Sequence, residues 1–438
     1  MRRRNSNQRR PKRSPLGPLQ TYFIDGLTHE AKGVARLDGK VTFIDGALPG
    51  ETVMAQVNKL GRRFDEAILR EVITPSEQRV EPLCRHFNQC GGCSFQHLEM
   101  SAQRQAKHQW LAGQLRHLCS AEDIEQLYAE ADGYRRRARI SVSHKDSNLV
   151  MGFRGKSSNQ VIDITSCQVL TPKLQQVFHA LKDMLAETKI FSTLGHVELL
   201  LDSKGVSLVL RLIKILPLEL RQQCESWAAQ QKVDLYWQAP NESKAEVSTQ
   251  QMRYYELSGL RLFYHPQDFI QVNDKMNQKM VEQAISWLAP TQEDVVLDLF
   301  CGVGNFSLPL AQGAGKVIGV ELLQSMVDSA KHNADYNALK NVSFLSADLT
   351  QAPPRALQHE KITKVLLDPP RAGAFEFLDT MIKMAPKQIL YVSCNASTLA
   401  RDAEYLVANG YQVIKTGLMD MFPQTSHVET MMLLQSKK

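Results

Sequence analysis

Short stretches in which apolar and polar residues alternate dominate residues 20–74, among them Lys40-Val41-Thr42-Phe43-Ile44 and Thr52-Val53-Met54-Ala55-Gln56-Val57, with Asp-Gly, Pro-Gly and Leu-Gly pairs between them. A period of two buries one face of a strand and the glycines permit tight turns, so this pattern predicts a small antiparallel barrel of about five strands. Farther on the period changes. Strands at 140–143, 161–164, 196–201, 206–213 and 233–237 alternate with helices at 172–187 and 218–231, which predicts a mixed α/β segment. From Asn273 onward the apolar runs 295–300, 316–320, 342–345, 364–367 and 389–392 are separated by helix-length stretches. Runs apolar on both faces are buried parallel strands, so the C-terminal part reads as a Rossmann-like α/β domain.

The expected organisation is therefore multidomain: a basic tail at 1–17, a barrel at 18–76, a central α/β segment at 77–270 and a Rossmann-like domain at 271–438. A length of 438 residues exceeds what one core supports. No apolar run reaches the length of a membrane span and no secretory segment opens the chain, so a cytoplasmic protein without a membrane role is expected. The net charge of +6 would point to a polyanionic partner, but Arg2, Arg3, Arg4, Arg9, Arg10, Lys12 and Arg13 outweigh it, leaving the remainder near −1. The tail has no apolar face and is expected to be disordered. Any case for RNA must rest on local patches.

Eight cysteines are too few for a secreted disulfide scaffold in a chain this long. Cys84, Cys90 and Cys93 crowd around Gly91-Gly92, where the backbone turns tightly, and Cys167 after a short strand is the candidate fourth ligand. This spacing leaves a zinc site and an iron–sulfur cluster both open. Cys119 and Cys224 occupy apolar positions of helices and read as core. The arginines of Tyr134-Arg135-Arg136-Arg137-Ala138-Arg139 precede a strand and are candidates for pairing with phosphates.

Candidate chemistry gathers at the ends of the C-terminal runs. The first leads from Asp298 through Phe300 into Cys301-Gly302-Val303-Gly304-Asn305, a turn open to close approach by a ligand, and the second ends in Glu321, an acid suited to a ribose diol. Asp298 before the turn and the missing third glycine favour S-adenosylmethionine over a dinucleotide. Asp348 extends this edge toward an adenine, and the next run ends in Asp368-Pro369-Pro370-Arg371. Amino-group methyltransferases carry an aromatic after Asp-Pro-Pro, so Arg371 argues against an exocyclic amine as target. Ile389-Leu390-Tyr391-Val392-Ser393 delivers Cys394 and Asn395 to the same edge. Alone, Cys394 would read as core.

Taken together, Phe269-Ile270-Gln271-Val272-Asn273, the segments 298–305 and 368–373, Ser393-Cys394-Asn395 and His427-Val428-Glu429 resemble, in order and spacing, the RNA uracil-C5 methyltransferases. The barrel, with Gly33 to Lys40 and Ala47-Leu48-Pro49-Gly50-Glu51, resembles the OB-like TRAM module of RNA-modifying enzymes. Barrel and four cysteines together are similar to the branch that acts on 23S ribosomal RNA. The resemblance implies S-adenosylmethionine contacts from Gln271, Phe300, Asn305, Glu321, Asp348 and Asp368. It further implies a nucleophile at Cys394, a base at Glu429, and a [4Fe–4S] cluster on Cys84, Cys90, Cys93 and Cys167. The partner implied is an unstacked or loop uridine of 23S ribosomal RNA, with no protein partner; another ribosomal uridine or a transfer RNA is the alternative. A non-catalytic iron–sulfur RNA-binding protein is disfavoured by the intact Cys394 and Glu429. Radical chemistry is disfavoured because Cys167 completes the ligand set. The chain departs from the family in Ala396, where proline is usual, and in Asp348, where asparagine is also common.

The chemistry asks for these residue types independently. C5 of uracil is a weak nucleophile until a thiolate adds to C6, and a base must then remove the C5 proton. A free thiol is only about 3% ionised at neutral pH, so the site around Cys394 decides its reactivity.

Overall fold

The computed structural model describes residues 17–242, 245–247, 252–351 and 354–437. The arginines of the basic tail lie outside the described residues. The chain divides into two compact units, one formed by Met1–Pro82 with Ser94–Ala106, the other by Leu83–Cys93 with Lys107–Lys438.

In the first unit, β1 (Leu19–Leu27), β2 (Lys32–Leu37), β3 (Lys40–Asp45), β4 (Thr52–Lys59) and β5 (Phe64–Thr74) close into a barrel in the order β1-β2-β3-β5-β4. The alternation works as predicted: Tyr22, Ile24, Ala35, Ile44, Val53, Ala55 and Val57 point inward. One expectation fails, because β3 and β5 run parallel. A ring with an odd number of strands cannot alternate direction at every step, so one pair must be parallel. Asp38 and Gly39 both take positive φ (+50° and +78°), as a two-residue hairpin turn requires.

Among the described residues the second unit holds a seven-stranded sheet, an eight-stranded sheet and a two-stranded hairpin. Following α1 (Met100–Leu115), β6 (Ile124–Leu127) leads to the central segment, where β7 (Arg137–Lys145), β8 (Asn148–Arg154), β9 (Val161–Asp163), β10 (Leu194–Asp202), β11 (Gly205–Leu212), β12 (Val233–Gln238) and β13 (Glu246–Val247) form a sheet ordered β13-β12-β11-β10-β7-β8-β9. Helices α2 (Pro172–Thr188) and α3 (Leu218–Gln231) pack their apolar stripes on it, with Leu174, Phe178 and Leu181 meeting Ile140, Leu199 and Leu208. Cys224 lies in this core, as expected. A hairpin, β14 (Arg253–Leu257) and β15 (Leu260–Tyr264), then leads to the C-terminal domain.

There the elements are α4 (Asp274–Leu288), β16 (Val295–Leu299), α5 (Ser307–Ala311), β17 (Lys316–Glu321), α6 (Gln324–Tyr336), β18 (Val342–Ser346), β19 (Lys364–Leu367), α7 (Phe375–Met384), β20 (Gln388–Ser393), α8 (Ala396–Ala408), β21 (Tyr411–Met419) and β22 (Glu429–Ser436). The strand order is β18-β17-β16-β19-β20-β22-β21-β6. Five strands, β16 to β20, are parallel, and β22 enters antiparallel between β20 and β21. Strand β6 comes from the segment expected to be central, yet it completes this sheet by pairing with β21. Strand order reverses between β17-β16 and β16-β19, the switch point at which open α/β sheets leave a crevice.

The segment linking β21 to β22 is tied to α1 by a buried ion pair. Lys107 Nζ lies 2.6 Å from Asp420 Oδ1 and donates to Phe422 O at 3.0 Å, with both charged side chains at most 2% exposed. Removing one partner strands the other charge without water. Lys107→Met is therefore expected to cost about 3–5 kcal/mol, while Lys107→Met with Asp420→Leu regains much of it. Thermal melts of the three proteins check this, and a single variant as stable as wild type would show the pair to be dispensable.

Candidate functional site

The crevice at the switch point is built by strand ends. Asp298 in β16 and Asp368 just beyond β19 close neighbouring parallel strands, whose register pairs Leu299 with Leu367. β20 delivers Cys394 one residue past Ser393. Ser393 pairs with Thr430, so Glu429 at the start of antiparallel β22 comes beside the thiol. Three parts of the sequence, around 368, 394 and 429, thereby reach one sheet edge.

That edge is poor in solvent and rich in acid. Asp298, 1% exposed, accepts from Ser307 Oγ through one oxygen while its Oδ1 has no partner. Burial, joined by the charges of Asp368 and Glu321, pushes its pKa up to about 7. Burial raises Asp368 to about 7 as well. Glu429 is pushed up to about 8 by burial and then by Asp368, with Arg371 opposing. Cys394 is raised by burial and by the charges of Glu429 and Asp368, and the same Arg371 pulls it down. Each group resists ionising beside the others. A cation in the crevice would relieve all of them.

The loops that carry these groups are tightly held. Asn395 caps α8 by accepting from Ser397 N, and its amide donates to Arg371 O at 3.1 Å. Ala396 is thus the first residue of a helix, the position where the family's proline would also fit. Arg401 donates to Ala372 O at 3.0 Å, and Asp402 accepts from Ala374 N at 2.9 Å and from the Tyr391 hydroxyl at 2.7 Å. Gly373, at φ +84°, leaves no room for a side chain: a Cβ would stand 2.6 Å from Asp402 Oδ2. The loop before Glu429 is fixed by Lys107, by Tyr134 donating from its hydroxyl to Pro423 O at 3.1 Å, and by Asn273 donating to Met421 O at 3.2 Å.

The expected cofactor contacts are spread around the same crevice. Phe300 takes a positive φ of +64°, a conformation a bulky side chain adopts at a cost and one that clusters at binding sites. Glu321 ends β17 and accepts from Gly302 N at 3.2 Å and Leu323 N at 3.0 Å, which ties the glycine turn to the second strand. Asp348, beyond β18, accepts from Thr350 N at 2.9 Å, and that N–H holds its pKa below the usual value. Asn305 uses its amide internally, exchanging bonds with Asn277 at 3.0 Å and accepting from the Tyr255 hydroxyl at 3.0 Å. Gln271 precedes α4, and its carbonyl accepts from Arg136 Nε at 2.9 Å. Cys301 is a packing residue: it is buried and abuts Gly319.

The arginine run behaves differently from expectation. Arg136 is buried and bonds to Gln271 O and Asp274, while Arg137 bonds to Asp268 O and pairs with Glu198 at 3.0 Å. Both satisfy backbone carbonyls where the central sheet meets the segment before α4, which removes them from phosphate binding. Only Arg139 keeps a largely exposed side chain. No local signal separates these roles, since consecutive strand residues point to opposite faces.

The four cysteines of the expected metal site belong to the second unit. Gly91 N donates to Arg154 O at 2.9 Å, Lys156 N to Gln89 O at 3.0 Å, and Thr165 N to His86 Nε2 at 3.0 Å, so the Cys84–Cys93 stretch is laced to β8 and to the loop before Cys167. A Cβ on Gly91 would lie 3.1 Å from Arg154 O, so a side chain there would require the facing backbone to give by a few tenths of an ångström. Cys167 is pushed up to about 11, chiefly by burial, with Cys84 and Cys90 adding their charges. None of these four cysteines forms a disulfide. Among the described residues no group of three or more His, Cys, Asp or Glu side chains is placed to hold a single metal ion.

The electrostatics of the edge make a direct prediction. Site-resolved alkylation of the ligand-free protein should place the midpoint of Cys394 above that of an ordinary thiol. Glu429→Gln, by removing a negative neighbour, should lower it. An unchanged midpoint would mean that Glu429 does not act on the thiol.

Comparison with known proteins bears on this site. The family model described as tRNA (Uracil-5-)-methyltransferase matches residues 99–437, and the TRAM domain model matches residues 20–69. The chain is 66% identical over 438 residues to the 23S rRNA (uracil(1939)-C(5))-methyltransferase RlmD of Marinomonas posidonica, covering 100% of both chains. It is 42% identical over 424 residues to the protein of that name from Pectobacterium atrosepticum, covering 94% of this chain and 93% of the other. Among solved structures, Pyrococcus abyssi tRNA (uracil-54, C5)-methyltransferase in complex with S-adenosyl-L-homocysteine shares the fold, with a TM-score of 0.77 at 22% identity over 94% of this chain and 99% of that one. With a family model spanning most of its length and full-length relatives well above any threshold of chance, the chain belongs to the RNA uracil-C5 methyltransferases.

Proposed function

We propose that this chain methylates C5 of one uridine of 23S ribosomal RNA, position 1939 by likeness to its relatives, using S-adenosyl-L-methionine. The observation that carries the reading is the juxtaposition of Cys394, Asp368 and Glu429 at one sheet edge, in a chain 66% identical throughout to a curated enzyme of that activity. S-adenosyl-L-methionine would supply an electrophilic methyl on a sulfonium cation. The acidic crevice suits that charge: Asp298 Oδ1 is buried without a partner, and Asp298, Asp368 and Glu429 each hold protons more tightly than usual, chiefly through burial. Gln271, Phe300, Asn305, Glu321, Asp348 and Asp368 are the residues assigned to hold it, Asn305 through its backbone and turn.

Cys394 adds through sulfur to C6 of the uracil, and the ring electrons move onto O4, giving an enolate whose C5 is nucleophilic. Arg371 is the cation that favours the thiolate. Glu429, with a pKa of about 8 in its acidic surroundings, takes the C5 proton after methyl transfer, and the re-formed double bond expels Cys394. The addition requires an open ring face, so the target is a loop or flipped base. The barrel and the central segment are assigned to RNA selection, the basic tail to salt-sensitive affinity, and residues 271–438 to the chemistry.

Cys84, Cys90, Cys93 and Cys167 are assigned to a [4Fe–4S] cluster. Each cysteine then ligates its own iron, so the thiols need to surround a volume and not meet at a point. Anaerobically purified protein should be brown with about four irons per chain, and Cys167→Ser should bleach it. One tightly bound zinc in a colourless protein would refute the cluster.

Methyl transfer to unmodified 23S ribosomal RNA, with mapping of the modified base, tests the function. Cys394→Ala should lose at least about a thousandfold in rate while still binding S-adenosyl-L-homocysteine. Glu429→Gln should accumulate a covalent protein–RNA adduct. A base must be unprotonated to act, so below pH 8 the wild-type elimination rate should fall toward tenfold per unit. Methylation of transfer RNA alone, or normal turnover by Cys394→Ala, would overturn the reading.

A further inference from the structure

The methyltransferase reading gives no part to Arg136, the buried member of the arginine run. Arg136 is 4% exposed, and a buried guanidinium is retained at a cost unless it is well engaged. Its partners all belong to the approach to α4. The Arg136 N–H donates to Val272 O at 2.8 Å, Nε donates to Gln271 O at 2.9 Å, and Nη1 pairs with Asp274. Its own carbonyl accepts from Leu201 N at 2.8 Å, which anchors the residue to β10 of the central sheet.

A second contact leads to the glycine turn. The guanidinium carbon stands 4.9 Å from the centre of the buried Tyr255 ring, and the Tyr255 hydroxyl donates to Asn305 Oδ1 at 3.0 Å. Asn277, on α4, completes the arrangement through its reciprocal bonds with Asn305. A cavity of about 390 Å³ opens beside Arg136, Tyr255 and Asp274, so no packed wall on that side would take over their work.

We propose that Arg136 is a positioning residue for the cofactor site, fixing Gln271 through its carbonyl and Asn305 through Tyr255. The proposal rests on the reading of the crevice as an S-adenosylmethionine site. Two contacts far apart in sequence, one before α4 and one in the turn after β16, are held in register by one planar group. Asp274 neutralises that group locally, so it does not oppose a cationic ligand. Lysine cannot replace it: an ammonium has no flat face to lay on Tyr255 and no fork to serve a carbonyl and a carboxylate together.

The test is calorimetric titration of S-adenosyl-L-homocysteine into full-length wild type, Arg136→Lys, Arg136→Met and Tyr255→Phe, with KM measured separately for S-adenosyl-L-methionine and for RNA. Losing the fork should raise Kd on the order of tenfold in both Arg136 variants, and losing one hydroxyl should raise it about threefold. Arg136→Met combined with Tyr255→Phe should lose less than the product of the two effects, because both act on Asn305. KM for the methyl donor should rise while KM for RNA stays within about twofold. If wild type binds and the variants bind equally well, Arg136 is not a positioning residue. Wild type that does not bind would instead sink the cofactor reading itself. Should the Arg136 variants fail to fold, Tyr255→Phe decides alone, since it keeps the ring and its stacking: an unchanged Kd overturns the proposal.

Discussion

Asp298, Asp368, Glu429 and Cys394 share one sheet edge, the first buried and the other three half-buried, and the cost of placing ionisable groups there is what the surrounding structure is arranged to sustain. Left in solvent, the carboxylates would ionise near pH 4 and repel one another weakly across a high dielectric. Held at the ends of adjacent strands, they keep protons into the neutral range, with values of about 7, 7 and 8. Such an edge gains most from a bound positive charge. It also gives Glu429 a proton affinity that an exposed glutamate lacks, as its proposed role of base asks for.

Sustaining that arrangement requires rigid loops, and their anchors come from several parts of the chain. Asp402 and Arg401 of α8 grip the segment after Asp368, while Lys107, Tyr134 and Asn273 grip the segment before Glu429. The latter three come from α1, the entrance of β7 and the start of α4. The central segment therefore supplies struts for the loop before Glu429 and, through Arg136, for the approach to α4. Strand β6 extends the same logic by closing the far edge of the C-terminal sheet. The cysteine stretch 84–93 is stitched by backbone bonds to β8 and the turn after it, and through the His86 imidazole to the loop before Cys167.

The sequence by itself determined the local elements and which residues end the strands of the C-terminal sheet. Period-two patterning marked the barrel, βα alternation marked the C-terminal sheet, and the residues ending each apolar run, Glu321, Asp368 and Cys394 among them, were legible because a buried strand delivers whatever follows it to the carboxyl edge. Only the tertiary structure decided what depends on pairing between distant segments. Direction around the barrel was one such matter, since the parallel β3–β5 pair follows from closing an odd ring. Another was the place of Glu429, which faces Cys394 because β22 inserts antiparallel between β20 and β21. The roles of the arginines were a third: Arg136 and Arg137 are identical in type to Arg139, which stays exposed, and engagement with Gln271, Asp268 and Glu198 alone makes them structural. The pKa values of the acidic edge belong to the same class, because they arise from burial and from charges on other strands, neither of which any single stretch of sequence contains.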